Sequence, residues 1–238
     1  MRILRTESFQ RAQLQKVPFV WARVEDLFCA EAGLELAESF PKTGFRLVSG
    51  SGGGKRYRYK SRCLLATGGR TFTNALSGCW ADLISDLAGS DYRQALSNFI
   101  GVDLSKCELE VTAHLYAANA HLDPHTDLVE KVATHVLYFN EVWDCRSGGC
   151  VQILKSGNIH DAAASIQPLV GSSVVLVRSE DSWHAVPGVQ TANGEIRRSV
   201  TATFLSPGLK AQMWNNSGKL KSETLATRSK AILRRSSV

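Results

Sequence analysis

No stretch of the 238-residue chain is apolar for long enough to cross a membrane as a helix. The opening MRILRTESFQRAQLQKVPFV carries early arginines but lacks the apolar run and small-residue cleavage site of a signal peptide. A cytoplasmic location is therefore expected. None of the six cysteines (Cys29, Cys63, Cys79, Cys107, Cys145, Cys150) is spaced as CxxC, and a chain of this size needs no staples. Reduced thiols are expected, with a Cys145–Cys150 disulfide as the alternative. There is no internal repeat and no linker. The length fits one domain, and 44% hydrophobic and 21% charged residues are ordinary for a globular protein.

A basic body is also missing. The net charge of +6 suggests a nucleic-acid partner until it is mapped. Residues 206–238 hold seven Lys and Arg against Glu223 alone, leaving 21 basic and 21 acidic residues in the other 205. Nucleic acid is not the expected partner of so neutral a body, and the tail reads as a solvated or loosely helical end.

What is present changes texture near residue 108. WARVEDLFCAEAGLELAES (21–39) has helical spacing, and WADLISDLAGSDYRQALSNF (80–99) reads as two short helices, the second capped by Ser90 or Asp91. GSGGGKRYRYK (50–60) lacks the Gly-Lys-Ser/Thr ending of a phosphate loop and reads as a flexible loop leading into a strand. From Glu108 onward come short, β-branched, partly alternating segments: ELEVTAHLY, THVLYFN, CVQIL, SVVLVR and IRRSVTATFL. The expectation is a single domain that is mainly β with flanking helices. Residues 1–107 form a helical and loop support, 108–205 a sandwich or barrel, and 206–238 a basic tail.

The stretch HLDPHTD (121–127) contains His-x-Asp twice. On an extended segment, residues two apart point to one side, so such a pair offers two metal ligands. A third ligand must come from elsewhere, and His184 in EDSWHAV is the candidate. Two His and one carboxylate on one face leave other positions open, which suits non-haem Fe(II). Either piece alone has ordinary readings: an Asx-type turn with an exposed His, or a core His beside Trp183. In GEIRRSVTATF, alternation sends Arg197, Ser199 and Thr201 to one side and Arg198, Val200 and Ala202 to the other. One arginine can then clamp a carboxylate inside, Arg197 in this register and Arg198 in the shifted one. Positions 121, 123, 125 and 127 share parity, so spacing alone does not choose between the two His-x-Asp pairs. Pro124 holds Asp123 extended or in a turn, which disfavours the first.

The run from Tyr116 to Phe204 resembles the 2-oxoglutarate- and Fe(II)-dependent dioxygenases, in the prolyl-4-hydroxylase-like branch. The matching pieces are LYAANAHLDPHTD, THVLYFNEVWDCRSGGCVQIL, VGSSVVLVRSEDSWHAV and RRSVTATF. The resemblance implies a double-stranded β-helix, or jelly roll. It implies His125, Asp127 and His184 as iron ligands, with His121 and Asp123 at the pocket rim. It implies Arg197, Tyr138 and Tyr116 for the cosubstrate 2-oxoglutarate, with Ser199 and Thr201 as wall. Fe(II), 2-oxoglutarate and O2 are the implied cofactor and reactants, with ascorbate as a possible reductant. Asp127 is kept where halogenases of the family carry a small residue, so hydroxylation is favoured.

The expected substrate is a small molecule such as an amino-acid derivative. The alternatives are a peptidyl (prolyl-type) hydroxylase and a non-catalytic jelly-roll binding protein. The sequence lacks the His-x-His with a following Glu of a cupin. Loops 50–60, 70–79, 141–147 and 155–165 are expected to shape the pocket, with Arg56, Arg58, Arg70, Trp143 and Arg146 as candidate contacts to an anionic or zwitterionic substrate. Nothing in the sequence sets the oligomeric state.

Overall fold

The computed structural model describes residues 2–52, 55–191, 194–208 and 214. Its first part supplies α1 (Ser8–Arg11), β1 (Trp21–Val24), α2 (Ala30–Glu38), β2 (Arg46–Gly52), β3 (Lys55–Leu65), α3 (Gly78–Ala88) and α4 (Ser90–Ile100). The second part supplies β4 (Glu108–Tyr116), β5 (His121–His125), β6 (Lys131–Tyr138), β7 (Val151–Leu154), β8 (Ala162–Ile166), β9 (Ser173–Val177), β10 (His184–Val186) and β11 (Arg197–Leu205). Apart from Trp214, the expected tail lies outside the described residues from 209 onward.

Strands β4 to β11 wind into two antiparallel four-stranded sheets, ordered β9-β6-β11-β4 and β5-β10-β7-β8. This is a nearly closed jelly roll. The long strand β3 belongs to both sheets: Lys60–Leu65 pair with β4, while Tyr57 and Arg58 pair with β5. On the outer edges, β1 extends the first sheet beyond β9 and β2 folds back on β3 as a hairpin.

Alternation along the strands separates two apolar cores. Val111, Ala113, Leu137, Val200, Ala202 and Phe204 face the helices, where they meet Leu36, Trp80, Leu83, Ile84, Leu87 and Leu96. The opposite face, with Tyr116, Val136, Tyr138, Val174 and Leu176, looks inward at Trp143, Val151, Ile153 and Val186 of the second half. The helices therefore brace one face of one sheet and leave the space between the sheets for chemistry.

Four expectations need correction. The segment 21–39 is not one helix: Trp21–Val24 pair with β9, and Asp26 breaks the chain at φ 54° before α2 starts at Ala30. A free sheet edge outweighs local periodicity there. The glycine-rich 50–60 segment is a hairpin, with Gly52 opposite Lys55, and its turn residues 53–54 lie outside the described set. Helix α4 is capped at Gly89 with no side-chain cap, whereas Ser77 caps α3 by accepting from Trp80 N. Finally, Cys145 and Cys150 are joined as a disulfide across a Cα separation of 5.6 Å, not left as thiols. The tight turn at Cys145–Ser147 and the positive φ of Gly148 and Gly149 reverse the chain and bring the two together. The other four cysteines are free.

Candidate active site

His125 ends β5, and His184 opens β10 directly opposite it. Their ring centroids lie 4.3 Å apart. Asp127 follows two residues after β5, with Oδ1 3.9 Å from His125 Nε2. One ligand atom from each of His125, Asp127 and His184 lies within 4.8 Å of the others, and all three residues are buried. The structure thus brings together the second His-x-Asp pair with the distant histidine.

A β-bulge explains why the first pair is left out. His184 and Val186 are two residues apart on β10, while their partners His125 and Leu122 are three apart on β5. The extra residue breaks the alternation, as bulges beside active sites do. Before it, Leu122 packs toward the inner core, while Asp123 turns out to bond Arg56 at 3.0 Å. His121 bonds the Asn119 carbonyl at the surface. After the bulge, His125 faces in.

The histidines are set up as metal ligands by their second nitrogens. Nδ1 of His125 donates to the Asp123 carbonyl at 3.0 Å, and Nδ1 of His184 donates to the Ser182 carbonyl at 2.9 Å. A carbonyl can only accept, so each Nε2 carries a free lone pair. Burial lowers the pKa of both rings and keeps them neutral. Burial opposes ionisation of Asp127, but the Lys131 ammonium beside it outweighs that and holds the carboxyl well below its usual range. Lys131 Nζ donates to Oδ1 at 2.6 Å and Thr134 Oγ1 to Oδ2 at 3.1 Å.

A second polar cluster lies between the sheets on β11, β4 and β6. Arg197 is 2% exposed, and its guanidinium carbon sits 4.8 Å from the Tyr116 ring centroid and 5.3 Å from that of Tyr138. Nη1 donates to Ser199 Oγ at 2.9 Å, while Nε is buried with no hydrogen-bond partner. The buried Tyr138 hydroxyl also lacks one. Burial pushes Tyr138 up and Tyr116 up to about 12, so both stay protonated donors. Thr201 is one layer deeper, bonded to His114 Nε2 at 3.0 Å, and His114 Nδ1 meets Ser61 Oγ at 2.7 Å. Arg198 points the other way, donating to the Ala37 carbonyl at the helix layer. Arg197 is therefore the arginine that faces the interior.

Residues 111–205 match the family model described as the 2OG-Fe(II) oxygenase superfamily. The matched stretch runs from β4 to the end of β11, so this part of the chain is similar to 2OG-Fe(II) oxygenases. The chain resembles a Pseudomonas putida prolyl-4-hydroxylase at 18% identity and TM-score 0.54, over 79% of this chain and 93% of that one. It resembles a Trichoplax adhaerens prolyl hydroxylase, solved with a hypoxia inducible factor peptide fragment, at 11% identity and TM-score 0.53 over 78% and 83%. AviO1 from Streptomyces viridochromogenes follows at 13% identity and TM-score 0.50 over 89% and 99%. At these identities the likeness is one of fold. No curated protein sequence matches.

Fe(II) and 2-oxoglutarate are the cofactor and cosubstrate of 2OG-Fe(II) oxygenases, and the residues gathered between these sheets fit both. Two neutral imidazoles and an ionised carboxylate on one side make a donor set suited to Fe(II). Arg197 has no carboxylate partner among the described residues, and with the idle Tyr138 hydroxyl it forms a buried donor set for an anion.

The expected substrate contacts do not gather here. Arg56 lies on the outer face of β3 with its side chain 76% exposed, and Arg58 is exposed on the same face. Arg146 is 92% exposed and pairs with Asp144, and Arg70 lies over Phe72 on an outer loop. Trp143 does reach the inner core, with its indole N–H donating to the Gly148 carbonyl at 2.9 Å. The alternation of β3 instead turns Lys55, Tyr57 and Tyr59 inward, and Tyr59 stacks on Tyr116 at 5.1 Å. These three escaped the sequence reading because KRYRYK was taken as loop, where parity has no meaning. Lys131 and Thr134 were also missed. Their spacing to Asp127 and their shared parity with Tyr138 were the available signals for the lysine and threonine respectively.

Proposed function

We propose that the protein is an Fe(II)- and 2-oxoglutarate-dependent dioxygenase that hydroxylates an unactivated C–H bond of a small molecule such as an amino-acid derivative. The observation that carries this reading is the convergence of two prepared sites within one jelly roll: the His125–Asp127–His184 cluster, and the buried, carboxylate-less Arg197 with its tyrosines. In this reading His125, Asp127 and His184 hold the iron. Arg197, Tyr138, Tyr116 and Ser199 hold the 2-oxoglutarate carboxylate, and Thr201 backs that wall through His114. Bound Fe(II) with 2-oxoglutarate and O2 supplies the oxidising power to break the C–H bond. The chain's own residues orient and insulate. The carbonyls of Asp123 and Ser182 fix the imidazole tautomers, Lys131 and Thr134 keep Asp127 ionised and aimed, and the inner aromatic wall excludes water.

A hydroxylase acting on peptides is the second reading, because the Trichoplax protein of similar fold was solved with a peptide fragment. Succinate release from 2-oxoglutarate, with and without added Fe(II), tests the class. A protein that binds neither Fe(II) nor 2-oxoglutarate would end the proposal. Stimulation by small molecules and not by peptides separates the two substrate readings.

A further inference from the structure

Four basic side chains stand near the triad, and three of them are engaged. Lys131 donates to Asp127, Arg178 pairs with Glu180 at 2.6 Å, and Arg56 is held outside by Asp123. The fourth is Lys55. It is half-buried at the start of β3, on the inward face it shares with Tyr57 and Tyr59, and among the described residues it makes no hydrogen bond or ion pair. Its neighbour Arg56 bonds Asp123, two residues before His125, and Tyr57 pairs with Leu122, so Lys55 enters from the His125 end of β5. Burial, then Lys131, pulls its pKa down to about 8, so it remains largely cationic at neutral pH. A half-buried ammonium with no hydrogen-bonded acid of its own favours the approach of an anion.

The surroundings say where that anion would sit. Lys55 approaches from the β5 side of the barrel, because β3 has crossed to that sheet at Tyr57. Arg197 lies on β11 in the other sheet. The two cations thus come from different sheets, which assigns them separate anions in this reading. The hairpin partners on the Lys55 face are Gly50 and Gly52, which add no bulk beside it. A Cβ at Gly50 would lie 2.5 Å from the Tyr57 hydroxyl oxygen, so glycine is what lets the tyrosine lie flat there.

We propose that Lys55 is the specificity-determining residue of this active site: it takes a carboxylate of the substrate and so holds a neighbouring carbon over the His125–Asp127–His184 cluster. A carboxylate matches one ammonium, whereas a phosphate would call for more donors than this face provides. This proposal rests on the dioxygenase reading, which places the substrate over the triad, and it replaces exposed arginines with one inward lysine as the source of anion preference.

The test uses the full chain loaded with Mn(II) and 2-oxoglutarate under argon. Free and N-acetylated amino acids are titrated against their own primary amides by calorimetry. At least one acid is expected to bind at least about tenfold more tightly than its amide, because a desolvated charge pair is lost in the amide. Lys55→Met should erase that preference, Lys55→Arg should keep its direction, and both should bind 2-oxoglutarate within twofold of wild type. The proposal is overturned if no acid is preferred to its amide, or if the preference survives Lys55→Met. It is also overturned if Lys55→Met weakens 2-oxoglutarate instead, which would make the lysine a cosubstrate residue. Failure of the wild type to bind Mn(II) or 2-oxoglutarate is a different result: it removes the dioxygenase reading and this proposal with it.

Discussion

The two faces of the β9-β6-β11-β4 sheet share a backbone and differ in almost everything else. On the helix side, Val111, Ala113, Leu137, Val200, Ala202 and Phe204 are completely buried in one apolar cluster with Trp80 and Leu83. One residue along each strand, the inner side presents Thr112, His114, Tyr116, Thr134, Tyr138, Arg197 and Ser199, also buried. Among them Thr112 Oγ1, the Tyr138 hydroxyl and Arg197 Nε have no hydrogen-bond partner. One face is closed by apolar packing, and the other keeps polar atoms without partners. Such groups cost stability when left idle, so the apolar face must hold the sheet rigid enough to keep them in place.

Substitutions on opposite faces should therefore fail in different ways. The sharpest contrast is His125→Ala, expected to lower Fe(II)-dependent succinate formation on the order of a thousandfold, the several kcal/mol a lost metal site represents. Its far-ultraviolet circular dichroism should remain that of wild type, and loss of the fold would contradict the division. On the helix side Phe139 is wholly buried against Phe40 and Trp80, and Phe139→Ala is expected to cost about 3–5 kcal/mol in urea unfolding. It should leave 2-oxoglutarate affinity per folded molecule intact. Arg197→Ala should weaken 2-oxoglutarate binding by about 2–5 kcal/mol, the penalty for breaking a desolvated charge pair. Arg198→Ala should not, and equal losses would show that both arginines serve the inner face.

Proton uptake blurs the comparison in a measurable way. His114 on the inner face and His135 on the helix face are both lowered to about 3, chiefly by burial, from the ordinary 6.5. The unfolded chain then binds more protons than the folded one between pH 6.5 and 3. Stability is full above about 6.5 and falls as pH drops, by up to about 1.4 kcal/mol per pH unit for each histidine. Unfolding of the metal-free protein across this range should show that slope, and a flat profile would mean the rings are not buried neutral. The smallest effect is reserved for His121→Ala, outside the bulge. Stability should change by less than about 0.5 kcal/mol, with metal affinity retained.

Much of this was readable from the residues. The alternation of RRSVTATF placed Arg197 and Arg198 on opposite sides without a structure, and the segment order gave helices first and then a β-rich body. Local pattern failed where long-range pairing decides. WARV looked helical beside its neighbours and became a strand because β9 offers it an edge. KRYRYK looked like loop and became part of the strand that ties the two sheets together. The choice between the two His-x-Asp pairs was invisible to spacing because it depends on a bulge, and a bulge is a relation between two strands.

That bulge also says where the chain can change length. A regular β5 would need one residue fewer between Leu122 and His125 to keep both opposite Val186 and His184. The extra residue is surplus to the register of His125, although the Asp123 carbonyl in this stretch accepts from its Nδ1. It sets Asp123 on the outer surface, where the carboxylate holds Arg56. Loss of a single codon at this point would remove the clasp and keep the histidine in register. Between His125 and Asp127 the same loss would turn one ligand away from the other. The neighbourhood of the site therefore has one position at which a deletion spares the register of the histidine, and immediately after it one at which a deletion separates the two ligands.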